Sequence, residues 1–166
     1  MSSADKPFVA NGWTILLHPL LLDELEALVV AVERLRKKDP KSYRQKRATK
    51  KLAAILKLIT EVVPSDPSRP EYRHGGALGE RYRHWFRAKF AQQYRLFFRY
   101  SLRERILIFA WVNDEDSLRA YESGTDAYKV FARMLGRHQP PDDWDVLKKA
   151  VERERARTAA MLRSGR

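Results

Sequence analysis

The sequence predicts an α+β domain in which a hairpin of two helices packs on an antiparallel β-sheet, followed by C-terminal helices. Two observations predict it. The hydrophobic period changes from two to 3.6 and back along the chain, and three strand candidates are joined by very short links. With 166 residues, 44% of them apolar, the chain can bury its own core. We assign residues 1–150 to this domain and expect 151–166 to be a basic tail, frayed or disordered.

The N-terminal elements are a strand and two helices. Alternating side chains predict a strand over about 12–18, and apolar residues at steps of three and four predict a helix over about 20–37. Asp39, followed by proline, has the form of a helix N-cap, so we place the second helix at about 40–63. The short link between them makes the two helices an antiparallel hairpin.

The sheet follows a loop rich in proline and glycine. Period-two patterns predict three strands, at about 84–90, 93–101 and 105–112. Because the links between them are short, we expect an antiparallel meander. A helix capped by Asp126 is predicted to run to about residue 136, and Trp144 begins a further helical pattern.

The chain carries a large excess of positive charge, with 33 Lys and Arg against 21 Asp and Glu, a formal net charge of +12. The excess lies mainly in residues 34–57, 69–105 and 148–166, and it indicates a polyanionic partner, either nucleic acid or an acidic protein. The absence of cysteine excludes a disulfide framework, a thiolate zinc site and a thiol nucleophile. Without a long apolar run or a visible signal peptide, we expect a cytoplasmic protein with no membrane partner.

Alternation along the strands places four cations and two aromatic residues on one face of the sheet. They are Arg87, Lys89, Arg95, Arg99, Trp85 and Phe97. An ordinary half-solvated sheet also turns polar residues outward. Here every charged residue of the face is positive, and like charges opposite one another destabilise a sheet. We therefore interpret this face as a platform for a phosphodiester and a stacked base, with Arg73 and Arg83 as further RNA-binding cations.

His74 lies in the loop directly before these strands. A histidine there could move a proton, although an isolated loop histidine is more often an ordinary surface residue. No pair of histidines has the spacing of a zinc motif, and the acidic run 114–116 lacks the spaced ligands of a calcium loop. We therefore predict no metal site.

Seven short motifs lie in order along residues 11–147. The most specific are YRLFFRY at 94–100, WVNDEDSLRAY at 111–121 and TDAY at 125–128. The others are NGW at 11–13, KDP at 38–40, ATKKL at 48–52 and RHG at 73–75. Together they resemble the YhaV family of type II toxin–antitoxin ribonuclease toxins, a branch of the RelE superfamily.

The resemblance implies a RelE-like fold, in which a helical hairpin packs on a twisted antiparallel sheet with C-terminal helices. It implies an endoribonuclease, an mRNA interferase associated with the ribosome, that inhibits translation and growth; sequence alone does not decide whether cleavage requires the ribosome. It also implies a cognate antitoxin of the PrlF type, with an AbrB-like DNA-binding domain. That antitoxin silences the toxin and carries the complex to operator DNA.

The resemblance also implies roles for individual residues. Arg87 and Lys89 match the first basic pair of the superfamily's sheet, Arg95 matches the arginine of its Tyr-Arg-Leu motif, and Tyr121 matches its C-terminal tyrosine. Where many relatives carry a further arginine after the last strand, this chain has the acidic run 114–116. The general acid is therefore left unassigned.

These residues suggest a mechanism without metal or cofactor, because RNA supplies its own nucleophile, the 2′-hydroxyl. The protein must orient that hydroxyl, take its proton, neutralise the phosphoryl oxygens and protonate the leaving oxygen. We expect Arg95 and Arg99 to neutralise the phosphate and Arg87 to bind it. Lys89, or else His74, is expected to be the base. The alternatives are a non-catalytic RNA- or DNA-binding module and a basic subunit that docks on an acidic protein.

Overall fold

A computed structural model describes residues 6–114 and 126–164, which form a five-stranded sheet with helices on both faces. The strands are β1 (Phe8–Ala10), β2 (Trp13–Leu17), β3 (Phe86–Phe90), β4 (Tyr94–Ser101) and β5 (Ile106–Val112). The helices are α1 (Pro19–Lys38), α2 (Arg47–Lys57), α3 (Ala127–Gly136), α4 (Trp144–Glu152) and α5 (Arg155–Ser164). Within the described ranges, every helix is too short or too polar to span a bilayer.

The predicted order of elements between residues 12 and 136 is confirmed: a strand, two helices, three strands and a helix. The second helix, however, begins at Arg47 rather than at residue 40. The Asp39 carboxylate accepts the backbone N–H of Ser42 and so closes a turn instead of capping a helix. At its other end α2 continues through a π-helical turn, Leu58–Val62, into a final turn, Val63–Ser65.

The sheet is mixed, with the strand order β1-β2-β5-β4-β3. Strands β3, β4 and β5 form the predicted antiparallel meander. Strand β2 pairs with β5 in parallel, with Ile15 opposite Leu107, so the prediction of a wholly antiparallel sheet is wrong at this pair. Local signals predict hairpins between neighbouring strands, but the direction of a strand brought in from another part of the chain depends on how the intervening helices pack.

The first core lies between the sheet and helices α1, α2 and α5. Side chains from both strands and helices meet there, among them Ile15, Leu21, Leu25, Ile55, Ile59, Leu96, Phe98 and Phe109. Phe98 is central, with its ring 5.4 Å from that of Tyr72 and 5.5 Å from that of Phe109. The predicted assignment of Leu96 and Phe98 to the helix-facing side of β4 is therefore confirmed.

A second core covers the opposite face of the sheet, which the sequence analysis expected to be open to RNA. Helices α3 and α4 lie on it, and the Phe131 ring of α3 stacks 4.2 Å from Phe97 and 5.7 Å from Trp111. Every residue of β5 is buried, as in a strand covered on both faces. A bulge at Ala110, between the pairs Phe97–Trp111 and Phe98–Phe109, turns both Ala110 and Trp111 toward this second core.

The C-terminal segment also differs from expectation, because residues 155–164 form helix α5 rather than a frayed tail. Met161 and Leu162 of this helix enter the first core. On its outer side Arg157 pairs with Asp23 and Glu26 of α1. The abundant charge at the start of the segment suggested a solvated tail, whereas its two largest apolar residues, Met161 and Leu162, are placed to close the core.

We predict that Leu162→Ala destabilises the protein by about 2–4 kcal/mol, because Leu162 is only 1% exposed and its loss leaves a cavity. The measurement is urea denaturation followed by circular dichroism. The matched control is Leu102→Ala, at a leucine that is 62% exposed, and it should change the unfolding free energy by less than about 0.5 kcal/mol. Equal effects of the two variants would contradict the docking of α5.

His18 is the N-cap residue of helix α1 and is buried at the end of strand β2. Its Nδ1 atom accepts the backbone N–H of Leu20 at 3.1 Å, which is the bond of a helix cap. Burial lowers the pKa of His18 from 6.5 to about 4, although the nearby Asp23 carboxylate partly opposes the change. The folded protein therefore holds this imidazole in its neutral form.

Because the pKa of His18 is lower in the folded state than in the unfolded state, its contribution to stability is complete above pH 6.5 and is lost as pH falls toward 4. His18→Asn keeps a cap acceptor but removes the titration. Between pH 7 and pH 4 we expect the free energy of unfolding of the wild type to fall by up to about 3 kcal/mol more than that of this variant. The measurement is urea denaturation at each pH. An equal pH dependence of the unfolding free energy in the two proteins would refute the burial of neutral His18.

Candidate functional site

Two arginines from neighbouring strands converge on one tyrosine hydroxyl near the end of the sheet. Arg87 on β3 and Arg95 on β4 point to the face covered by α3, whose first turn carries Tyr128. The Nε atoms of Arg87 and Arg95 both donate to the Tyr128 hydroxyl oxygen, at 2.7 and 3.2 Å. We call these three residues the arginine–tyrosine cluster.

Arg87 is the more deeply placed of the two arginines, with 8% of its surface exposed. Its Nη1 atom donates to the backbone carbonyl of Glu71 at 2.6 Å. That carbonyl and the Tyr128 hydroxyl are uncharged acceptors. They satisfy donors of the guanidinium group without neutralising it, so an anion that reaches the cluster meets a pre-positioned positive charge.

Arg95 is half-buried and folds back onto the turn between β3 and β4. Its Nη1 atom donates to the carbonyls of Gln92 and Tyr94, at 2.8 and 3.2 Å. The turn is itself held by Asn113, a buried residue that accepts the backbone N–H of Arg95 at 2.7 Å and donates to the Gln93 carbonyl at 3.0 Å. Asn113 thus fixes the backbone from which Arg95 projects.

Lys89 lies directly opposite Arg95 in the pairing of β3 with β4, and its side chain is exposed. Side chains at such paired positions have Cβ atoms about 4.5–5.5 Å apart, and two like charges there repel each other. Lys89 therefore adds an accessible cation beside the arginine–tyrosine cluster. The structure thus brings together three of the predicted residues, Arg87, Lys89 and Arg95.

Arg99, the fourth predicted cation, lies apart from this group. It is four residues from Arg95 along β4, which is roughly 13 Å. Its guanidinium carbon lies 5.4 Å from the ring centre of Trp85 and 5.3 Å from that of Trp144, and it donates to the Asp142 carbonyl. Burial lowers the pKa of the Arg99 guanidinium group. Arg99 therefore holds the segment before α4 on the sheet, away from the other three predicted cations.

Trp85 and Phe97 were expected to stack against RNA bases, and the structure contradicts this. Both side chains are completely buried in the second core, where each ring packs against Phe131. The alternation along the strands assigned them to the correct face of the sheet. The expectation failed because helices α3 and α4 cover that face.

His74, the alternative base, is buried and forms hydrogen bonds through both ring nitrogens. Nδ1 accepts the backbone N–H groups of Gly76 and Leu78, at 3.1 and 3.3 Å. Nε2 lies 2.9 Å from the Tyr82 carbonyl, which can only accept, so Nε2 carries the proton. With one nitrogen donating and the other accepting, His74 organises the loop before β3 and has no vacant nitrogen to act as a base.

The remaining predicted residues have diverse surroundings. Arg73 is exposed beside the edge strand β3, and its backbone forms an isolated antiparallel β-bridge with Phe86. Arg83 is exposed and paired with Glu80 in the same turn, which offsets its charge locally. Tyr121 lies outside the described residues.

Sequence reasoning missed two residues of the site. Neither Tyr128 nor Asn113 was among the predicted site residues. The available signals were two motifs, TDAY at 125–128, which contains Tyr128, and WVNDEDSLRAY at 111–121, which contains Asn113. Among the described residues, no group of three or more His, Asp or Glu side chains is placed to hold a metal ion.

Comparison with known proteins provides independent information. Residues 15–152 match a family model described as a toxin with endonuclease activity, of a toxin–antitoxin system. The chain is 47% identical over 150 residues to the ribonuclease toxin YhaV of Escherichia coli strain K12, which covers 89% of this chain and 97% of the relative. The toxin YhaV of Escherichia coli O157:H7 matches to the same extent. No solved structure gives a significant match.

The enclosure of Arg99 predicts a structural rather than a chemical effect of its loss. Arg99→Met keeps a long apolar stem but removes the charge between the two tryptophans and the bond to Asp142. We expect it to destabilise the protein by about 2 kcal/mol in thermal melting. Arg103→Met, at an exposed arginine of the β4–β5 turn, is the matched control and should be nearly neutral. An unchanged melting temperature for Arg99→Met would refute this role.

Proposed function

The chain belongs to the YhaV family of toxins with endonuclease activity, and we propose that it cleaves mRNA at the arginine–tyrosine cluster through the RNA's own 2′-hydroxyl, without a metal ion. It is an endoribonuclease toxin of a toxin–antitoxin system. The observation that carries the assignment of the site is the convergence of Arg87 and Arg95 on Tyr128. Lys89 stands directly opposite Arg95.

In this proposal the scissile phosphate lies against the guanidinium groups of Arg87 and Arg95. Their positive charge stabilises the additional negative charge that develops on the phosphoryl oxygens in the transition state. Tyr128 is a positioning residue, because its hydroxyl accepts one hydrogen bond from each guanidinium and keeps both aimed at the same point. Preorganisation of this kind spares the enzyme the cost of orienting dipoles during the reaction.

The chemical step is an intramolecular transesterification. The 2′-oxygen forms a bond to phosphorus, and the bond from phosphorus to the 5′-oxygen breaks, which leaves a 2′,3′-cyclic phosphate and a 5′-hydroxyl. We assign Lys89, the exposed amine next to Arg95, as the acceptor of the 2′-hydroxyl proton. It must enter the step as the neutral amine and leaves it as an ammonium ion. The 5′-oxygen takes a proton from a donor that we leave unassigned.

Membership of a toxin–antitoxin system implies an antitoxin partner. We further propose that this antitoxin is of the PrlF type, that the complex binds operator DNA, and that the substrate is mRNA on the ribosome in the cytoplasm. Cleavage there would inhibit translation and growth. The helical hairpin packed on the sheet supports a RelE-like fold for the toxin, and its net charge of +12 favours rapid capture of a polyanion or of an acidic partner.

The experiment that tests the function uses purified toxin freed of antitoxin, incubated with RNA in the presence and absence of EDTA. The proposal expects cleavage in both conditions, with products that end in a 2′,3′-cyclic phosphate. RNA with 2′-deoxy sugars at the mapped cleavage sites should resist. Retarded but intact RNA would instead identify a binding module, and loss of cleavage in EDTA would overturn the metal-independent mechanism.

We predict that Arg95→Ala lowers the single-turnover cleavage rate by about 10²–10³ without altering the thermal melting temperature by more than a few degrees, because a transition-state charge contact is lost. Tyr128→Phe keeps both arginine charges but removes the hydroxyl that orients them, so the cleavage rate should fall less, by about tenfold. Lys57→Ala, at an exposed lysine of α2, is the control and should cleave at the wild-type rate. Cleavage by Arg95→Ala within about threefold of wild type would place the active site elsewhere.

A further inference from the structure

A groove of about 450 Å³ lies between the start of α2 and the turn that joins β3 to β4. Its described lining combines basic and aromatic side chains, chiefly Arg47, Lys50, Lys51, Phe90 and Tyr94, together with Ala91 of the turn. Among the described residues, every charged side chain that lines it is basic. The volume is within the range of sites that hold small organic ligands.

The aromatic wall of the groove is rigid. The rings of Phe90 and Tyr94 are stacked, with centres 5.1 Å apart and an angle of 18° between their planes. The Lys51 ammonium lies 4.5 Å from the centre of the Tyr94 ring and is fixed by Glu24 at 3.0 Å and by the Asn113 carbonyl at 3.4 Å. Lys51 is therefore part of the framework of the groove rather than a mobile surface cation.

The rim of the groove carries two exposed cations. Lys50 is exposed, and Arg47, also exposed, has its guanidinium carbon 5.9 Å from the centre of the Tyr94 ring. These two side chains can reach a phosphate, whereas Phe90, which is only partly buried, can offer its ring to a base. A basic rim beside an aromatic wall is the usual construction of a site for single-stranded nucleic acid.

The groove and the arginine–tyrosine cluster lie on two sides of the same turn. Ala91 forms part of the groove wall, and the next residue, Gln92, accepts a hydrogen bond from Arg95 through its carbonyl oxygen. Asn113 contacts both sites, since its carbonyl accepts from Lys51 while its side-chain oxygen accepts from the backbone of Arg95. A single strand that passes over the turn would meet both.

We propose that this groove is a second RNA-binding subsite, which holds a nucleotide flanking the cleaved bond with its phosphate on Arg47 and Lys50 and its base against Phe90. The inference rests on the proposed function for the position of the cleaved bond, but RNA binding in the groove depends only on the groove's own residues. An acidic peptide would use the cations and leave the aromatic wall without a partner, so the combined lining favours a nucleotide. The subsite contributes affinity for longer RNAs rather than rate at saturation.

The test compares Arg47→Gln/Lys50→Gln with Lys37→Gln/Lys41→Gln, which removes the same charge from exposed positions outside the groove. Binding is measured by fluorescence anisotropy with two uncleavable 2′-fluoro RNAs, a dinucleotide that spans only the cleaved bond and an RNA of about twelve nucleotides. We expect the groove variant to bind the long RNA about tenfold more weakly and the short one within about twofold of wild type. The slope of log affinity against log salt should fall by about 1.4. The control should bind both RNAs within about twofold of wild type.

Phe90→Leu probes the aromatic wall without changing charge. It should weaken binding of the long RNA about fivefold and leave the salt slope unchanged, because stacking rather than phosphate contact is lost. Thermal melting checks that each variant is folded. Binding of the long RNA at the wild-type level by the groove variant, or an equal loss in the control pair, would overturn the subsite.

The outcomes separate this inference from the proposed function. If the wild type binds RNA but never cleaves it, the proposed function fails, while a selective loss of binding in the groove variant still supports the subsite. If the wild type cleaves and the groove variant binds RNA normally, the subsite fails and the function stands. Reduced capture of the purified antitoxin together with normal RNA binding would assign the groove to the antitoxin and overturn the nucleotide assignment.

Discussion

Two guanidinium groups that repel each other share one tyrosine hydroxyl, and the architecture around them keeps that arrangement in place. Arg87 and Arg95 come from adjacent strands, so the antiparallel pairing of β3 with β4 fixes their separation. Tyr128 comes from a helix, whose start is capped by Asp126 through a bond to the Lys129 N–H. The neutral acceptors around the two arginines hold them without cancelling their charge, which is the property an anion-binding site requires.

The second core is what brings that helix to the sheet. Phe131 packs among Trp85, Phe97 and Trp111, with its ring nearly parallel to two of them. Aromatic contacts of this kind add to the free energy of burying large apolar surfaces. At the far end Arg99, between two tryptophans, ties the segment before α4 to the same face. Trp85, Phe97 and Arg99, three of the six residues predicted to form an RNA platform, thus hold helices on the sheet instead.

The sequence predicted the secondary structure well because its signals are local. Alternation along β4 assigned Arg95 and Phe97 to one face and Leu96 and Phe98 to the other, and the structure agrees. The same alternation, together with the family resemblance, was sufficient to group Arg87, Lys89 and Arg95 as the candidate site. The uninterrupted apolar run of β5 was the available sign that both faces of the sheet are covered, and it was interpreted as an ordinary strand.

By itself, then, the sequence determined the order of elements between residues 12 and 136, the faces of the strands and the excess of positive charge, since each depends on neighbouring residues or on composition. Only the tertiary structure decided which side chains surround each cation. Arg95 and Arg99 are indistinguishable by alternation, yet one lies beside Tyr128 and the other between Trp85 and Trp144. The difference arises from helices packed from distant parts of the chain, whose positions no local pattern specifies.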